Sequence, residues 1–253
     1  MKTLFSFLTA GVFLLGIAAS ARAQTEVTLL APNPIRRTLD KVVAGFEPKT
    51  GYKLKLTLGK GLGTRQQVAR GEIFDVSILL PPYPEALASG NIDPQSATTL
   101  ASLQLALGVK KGSPKPDVST PDALKQTLLA ARTITFVEPT SGSDGAATRE
   151  ALEKLGVFDL IGSKVKYGAT ASVTAGIVAR GEADLCIFYF NEMNYPELDV
   201  AGLLPRQIAA PGPVVAFVST HVKDAKAAKA LVDYLSSPEV EAIYQKDGLI
   251  PAH

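Results

Sequence analysis

The chain has 253 residues, a formal net charge of +2, 46% hydrophobic residues and one cysteine, Cys186. That length fits two modest domains or one large one. The charge gives no broad basic face for nucleic acid, and a single cysteine allows no intramolecular disulfide.

The first element is a leader. Lys2 is a positive start, Leu4 to Ala19 is almost wholly apolar, and Ala21-Arg22-Ala23 is a small-x-small site before Gln24. This is the pattern of a secretory signal peptide over residues 1–23. The apolar run, about 16 residues, falls short of the ~20 that span a bilayer. An uncleaved anchor is the alternative. Cleavage removes Lys2 and Arg22, leaving a working chain close to neutral. Selective anion binding would then have to come from a local site.

Apolar β-rich runs next alternate with helical stretches. Glu26 to Ala31 reads as a strand, and Ile35 to Phe46 as a helix with Leu39, Val42, Val43 and Phe46 on one face. Tyr52 to Leu58 alternates strictly, as a strand with one wetter face should. Thr64 to Arg70 is a short helix and Phe74 to Leu80 a buried strand. This order predicts an α/β layer fold with a largely parallel sheet. A middle run, Leu103 to Val109, ends in the loop 110–116. The theme then repeats. Thr133 to Val137 is a strand, Ala146 to Leu155 a helix closed by Gly156, Val165 to Tyr167 a strand, Ser172 to Arg180 a helix and Ala183 to Phe190 a strand. Cys186, inside Leu185-Cys186-Ile187-Phe188, reads as a small core hydrophobe. Pro213 to Ser219 is a further apolar run, Ala225 to Leu235 a helix, and Ser237-Pro238-Glu239 starts another. No low-complexity segment or solenoid period is visible.

Three segments carry a resemblance. Arg149 to Gly156 precedes Val165. Gly181-Glu182-Ala183-Asp184 leads into Ile187-Phe188-Tyr189. Tyr234 to Glu239 runs on to Tyr244-Gln245-Lys246-Asp247-Gly248. In order and spacing they resemble the periplasmic molybdate-binding proteins of ABC importers, within the type II solute-binding fold. Periplasmic aconitate isomerases resemble the same family. The resemblance covers essentially the whole mature chain and implies a periplasmic location. It also implies two α/β lobes with an anion in the cleft between them. Lobe 1 would be discontinuous, 24–105 and 212–253, and lobe 2 would be 106–211. The crossings would lie near Leu103 to Gly108 and Pro211 to Val215. Membrane subunits of an ABC importer are the implied partners of a monomeric chain.

The departures bear on the ligand. The family usually carries a serine after its first strand, where this chain has Ala31-Pro32-Asn33-Pro34. It also carries an Ala-Ser-Gly turn before its second helix, where this chain has 59–64, Gly-Lys-Gly-Leu-Gly-Thr. Lys60 matches the serine, and the family's late-strand tyrosine is kept as Tyr189. A full ammonium suits a ligand with carboxylates, which take charge-assisted hydrogen bonds.

Helix starts after strands offer unpaired amides and a partial positive charge, and in open α/β sheets these junctions cluster where ligands sit. The junctions here are Asn33-Pro34-Ile35, Lys60 to Arg65, Ser141 to Gly145, and Ala169 to Val173. The candidate ligand-binding residues are Asn33, Pro34, Lys60, Gly61, Thr64, Arg65, Ser141, Gly142, Ser143, Ser172, Tyr189 and Asn191. Each has a bland alternative. Ser143 or Asp144 can be an ordinary helix N-cap, Lys60 and Arg65 solvated charges, and Tyr189 a core tyrosine. Arg36 and Arg37 open a helix, a poor place for cations; they read as surface residues, with one of them pointing to the cleft as the alternative. Asn191 and Glu192 either line the cleft or turn the chain. Tyr83 is a weaker candidate, and His221 borders a surface helix.

Two functions stay open. One is a periplasmic solute-binding protein capturing a small anion, an organic di- or tricarboxylate. The other is an aconitate isomerase-like enzyme on the same scaffold, with Lys60 and Tyr189 as candidate acid and base. Neither requires a cofactor or a metal. The exported protein should start at Gln24 and be recovered in soluble form. Intact-mass measurement checks this, and a membrane-bound product retaining the leader would contradict it.

Overall fold

A computed structural model describes residues 25–59 and 63–252. The leader, Lys60, Gly61 and His253 lie outside the described residues. The strands and helices, in chain order, are β1 (Glu26–Ala31), α1 (Arg36–Thr50), β2 (Lys53–Leu58), α2 (Thr64–Ala69), β3 (Val76–Leu79), α3 (Pro84–Ala88) and β4 (Thr98–Leu103). There follow β5 (Leu105–Lys110), α4 (Pro121–Ala130), β6 (Ile134–Val137), α5 (Ser143–Lys154), α6 (Phe158–Ile161), β7 (Val165–Gly168), α7 (Ala171–Ala179) and β8 (Leu185–Tyr189). The chain closes with β9 (Leu198–Leu203), β10 (Gly212–Val218), α8 (Ala225–Leu235), α9 (Pro238–Lys246) and β11 (Ile250–Pro251).

Two mixed sheets build two lobes. The first runs β11-β4-β10-β3-β1-β2 and the second β7-β6-β8-β5-β9. The plan is the same in both. A parallel trio, β2-β1-β3 in one lobe and β7-β6-β8 in the other, is followed by a strand that arrives from the other side of the molecule and runs antiparallel. Those arriving strands are β10 and β5, each of which also pairs antiparallel with its outer neighbour. The expected largely parallel sheet is therefore corrected to a mixed one. A chain that crosses between lobes enters the second sheet from the far end and can only add antiparallel.

Burial follows this arrangement. β3, β6 and β8 are buried at every position, as central strands covered by helices on both faces must be. β2 is an edge strand; its first four residues alternate between exposed and half-buried, and its last two are half-buried. α1 buries Thr38, Leu39, Val42 and Phe46, a helical stripe facing the first sheet. It continues past the expected end at Phe46, with Pro48 in its last turn, and stops at Gly51, where φ is +77°. A left-handed residue there is the common glycine stop. Cys186 is fully buried, and burial pushes its thiol up to about 12.

The crossings lie side by side. Gln104 separates β4 from β5 and is buried; its side-chain amide donates to the Leu204 carbonyl at 3.2 Å. The Leu204 amide in turn donates to the Leu105 carbonyl, and the Phe190 amide to the Gln104 carbonyl. The second crossing therefore begins at Leu204, directly after β9, and reaches β10 at Gly212.

Close packing places α5 against β6. A Cβ on Gly145 would stand 2.3 Å from the Glu138 carbonyl oxygen and 2.5 Å from that of Val137. At Gly142, one turn earlier, a Cβ would meet nothing within 4 Å, and φ is 176°. Gly145→Ala should therefore destabilise the fold by about 1–3 kcal/mol, the usual cost of overpacking. Gly142→Ala should leave stability within about 0.5 kcal/mol. Urea unfolding of both variants checks the contrast.

Candidate functional site

Parallel strands of one trio all deliver the chain to the same edge of their sheet. The turns leaving β1, β2, β6 and β7 therefore open on one cleft between the lobes. Pro32, Asn33, Pro34, Gly59 and Gly63 line it from the first lobe, with Arg36 and Arg37. Ser141 to Asp144, Ala169 to Ser172, Asn191, Glu192 and Tyr195 line it from the second. The cleft holds about 480 Å³, within the range of small-ligand pockets.

The helix starts that reach the cleft have no side-chain competitor on two of their caps. α5 is capped by Gly142 and α2 by Gly63, neither with a side-chain hydrogen bond. The reading of Ser143 or Asp144 as N-cap is thereby corrected. Gly63 has φ +92°, a conformation that favours glycine. A Cβ added there would lie 3.7 Å from the Ser143 hydroxyl. Two helix starts from opposite lobes thus face each other across the cleft. α7 is different: the Thr170 hydroxyl accepts from the Val173 amide.

Two polar contacts tie the lobes together beside the cleft. The Asn191 amide donates to the Pro34 carbonyl at 2.7 Å, and Arg37 reaches the Asn194 carbonyl at 3.5 Å. Asn33 donates to the Gly59 carbonyl at 2.8 Å and holds the β1 and β2 turns in register. Burial raises the pKa of the Tyr195 phenol, with Ser172 acting in the opposite direction.

Of the candidates named from sequence, the fold brings Asn33, Pro34, Ser141, Gly142, Ser143, Ser172 and Asn191 to this cleft. Lys60 and Gly61 lie outside the described residues, although their flanks, Gly59 and Gly63, both line it. Thr64 is buried below the surface and donates to the Ile78 carbonyl. Arg65 donates to the Pro82 carbonyl at 2.9 Å and borders a separate hollow with Tyr83. Tyr189 is buried behind the cleft, where it lines a hollow on the crossing side. Burial, with Asp144 and Glu192 nearby, holds its phenol above the ordinary range. His221 is far from the cleft and meets the Asn91 side chain.

Arg36 and Arg37 are exposed, as expected, and they also border the cleft mouth, with Arg36 paired to Asp40 along its own helix. The sequence reading under-weighted two residues. Asp144 and Glu192 form a carboxyl pair in the cleft wall. Asp144 is 7% exposed, and its Oδ1 accepts weakly from the Tyr189 amide at 3.4 Å. Glu192 Oε2 is sealed from solvent and receives no N–H or O–H donor. Burial raises the pKa of both. For Glu192 the neighbouring Asp144 charge raises it further, well above the ordinary range, against a smaller opposing effect of Arg37. Asp144 has the backbone donor and Glu192 has none. Among the described residues no group of three or more His, Cys, Asp or Glu side chains could hold a metal.

The match to known proteins is broad. A family model described as bacterial extracellular solute-binding protein matches residues 27–250. The chain belongs to that family. This solute-binding protein is 29% identical over 239 residues to an aconitate isomerase from a Pseudomonas species, covering 92% of this chain and 90% of the relative. It is 26% identical over 252 residues to a molybdate-binding protein from Rhodobacter capsulatus, covering 98% and 97%. Its fold matches the Azotobacter vinelandii periplasmic molybdate-binding protein with a TM-score of 0.71 at 19% identity, over 90% of this chain and 100% of that one. The two-lobed fold is thus the molybdate-binding type. Among the described residues no helix is long and apolar enough to cross a membrane.

The carboxyl pair gives the solute-binding protein a signed pH dependence. Above the pKa of an unfolded Glu, about 4.3, the unfolded chain loses a proton that the folded pair retains. Stability then falls as pH rises towards the raised folded pKa. Glu192→Gln should remove that decline, raising the melting temperature near about pH 7.5 and leaving it unchanged near about pH 4. Differential scanning calorimetry at the two pH values checks the sign.

Proposed function

We propose that the protein captures a small organic anion, a di- or tricarboxylate, in the inter-lobe cleft. It would work in the periplasm and hand its ligand to the membrane subunits of an ABC importer. The observation that supports this reading best is the convergence of open helix starts from both lobes with Arg36 and Arg37 on one cleft. Helix-start amides attract anions. Guanidinium groups add planar, charge-assisted donors that match carboxylates. In the sequence Lys60 falls between two cleft-lining glycines, Gly59 and Gly63, and would add an ammonium. The name of the aconitate isomerase relative, a protein acting on a tricarboxylate, points the same way. Closure would be a hinge motion about the paired crossings at Gln104 and Leu204, with the Asn191–Pro34 contact at the closing edge.

A second reading, isomerisation of aconitate, has one specific observation in its favour. Asp144 and Glu192 place a carboxylate and a carboxylic acid in the cleft wall. A carboxylate can take a proton from the carbon next to a ligand carboxylate. The electron pair left behind spreads over the adjacent double bond, and a proton returned to its far carbon moves the double bond with no change in composition. In this reading the pair replaces Tyr189, whose buried phenol is a weak acid behind the cleft.

Thermal shifts with citrate, trans-aconitate, tricarballylate, molybdate and sulfate test the ligand class. Stabilisation by the tricarboxylates is expected; preferential stabilisation by molybdate or sulfate would overturn it. Incubation with cis-aconitate, followed by proton NMR for the trans isomer, separates binding from turnover. Lys60→Ala should weaken the best ligand by ~2–5 kcal/mol, as loss of one partner of a desolvated charge pair does. An exposed pair would lose only ~0–1 kcal/mol. Calorimetric affinity within a factor of about three of the parent would place Lys60 away from the ligand.

A further inference from the structure

An anion cleft with acidic groups in its wall poses a physical problem. Helix starts and arginines favour a negative ligand, and Asp144 and Glu192 oppose it if both are ionised. The geometry of the pair resolves this. Glu192 Oε2 is sealed from solvent and receives no N–H or O–H. Its side-chain partner is the Asp144 carboxyl, itself buried at the start of α5. Two carboxylate oxygens cannot satisfy one another, because both only accept. A proton between them turns the contact into a short, charge-assisted hydrogen bond. An acceptor left buried without a donor would cost about 1–3 kcal/mol or more.

We propose that the Asp144–Glu192 pair holds one shared proton in the empty cleft and takes up a second when an anion binds, so that ligand capture is coupled to proton uptake. The inference rests on the reading that this cleft is the anion site. The second proton neutralises the pair and frees a carboxyl O–H to donate to the ligand. The pair then changes from a repulsive wall to a hydrogen-bond donor. No bond between heavy atoms forms or breaks; one proton moves from solvent to the pair. The charged and titratable groups facing the pair are few. Arg37 opposes proton uptake from the start of α1. The phenols of Tyr189 and Tyr195 stay neutral, since burial raises both. Arg65 and Glu150 act on Tyr189 from further out and with opposite signs. The raised pKa of both carboxyls agrees with this, with burial as the first cause in each.

Linkage makes the coupling reciprocal, so a ligand that draws in a proton binds more tightly at low pH. The test is calorimetry with trans-aconitate in buffers of differing ionisation enthalpy, from about pH 6 to about pH 8.5. Sulfate, which does not titrate in this range, is a parallel arm. Expected for the parent is a proton uptake that rises towards one per ligand. Its affinity should fall with pH by up to about tenfold per unit, the limit for one proton. Glu192→Gln carries a permanent donor and should bind with a flatter pH profile and less proton uptake. Uptake near zero with pH-independent affinity in the parent would overturn the proposal while leaving anion capture intact.

A second measurement does not depend on any ligand. Carboxyl carbon NMR of the empty protein, with Glu192→Gln and Asp144→Asn for assignment, reads the pair directly. A first proton lost well above the ordinary carboxylate range, about 4, is expected. Two midpoints inside that range would remove the shared proton and the proposal with it. If neither anion binds while the raised midpoint is seen, the ligand reading fails and the shared proton stands.

Discussion

The unpaired amides of helix starts are the constraint from which the site follows. An α-helix cannot satisfy its first N–H groups internally, and in this fold the starts near Gly63, Gly142 and Thr170 open on the cleft. β1, β2, β6 and β7 run parallel within their trios, so the segments after them emerge at one edge. Gly63 and Gly142 then leave two of these starts without a side-chain cap. Thr170 satisfies a third start locally and leaves it less to offer a ligand. The difference between the helices is written in their cap residues. Glycine leaves amides open, and threonine closes one.

The repeat of strand order in the two lobes has a mechanical consequence. Each lobe holds a strand contributed across the crossing, β10 in one and β5 in the other. Both crossings pass the same point, pinned by Gln104 to Leu204 and by Leu204 to Leu105. The contacts that would break on opening are on the cleft side, Asn191 to Pro34 and Arg37 to Asn194. Both use backbone carbonyls as acceptors, so they hold the lobes together without consuming the arginine charge.

Much of the architecture was legible because hydrophobic period and glycine placement agree with it. The alternation in Lys53–Leu58 and the apolar run in Leu185–Tyr189 mark an edge strand and a central strand respectively. Gly156 ends α5 as expected, with φ +69°. Sheet direction was not legible, since periodicity says nothing of which way a neighbour runs; β9 and α4 also passed unnoticed. In the site, loop residues after strands were found because topology places them. Asp144 and Glu192 were not found as a pair, because the contact joins segments far apart in sequence and each looks ordinary alone. Asp144 resembles a helix cap and Glu192 a turn residue. The surface reading of Arg36 and Arg37 holds, since both are exposed. A cation at a helix start is unfavourable along its own helix; Asp40 offsets it for Arg36, and the Glu192 side of the cleft for Arg37.

That last relation bears on how such a cleft can be selective at all. Open amides and guanidinium groups attract any small anion, and they do so with little regard to shape. Discrimination needs a term that penalises the wrong occupant. A carboxyl pair supplies one. A ligand that offers an acceptor where the pair can donate gains a hydrogen bond, and a ligand that does not meets a buried acid with no partner. Burial makes the difference large, since an unmatched polar group in a dry wall costs more than a matched one contributes. On the proposed reading attraction and selectivity come from different residues: the helix starts and arginines would bring the anion in, and Asp144 with Glu192 would judge its hydrogen-bonding pattern.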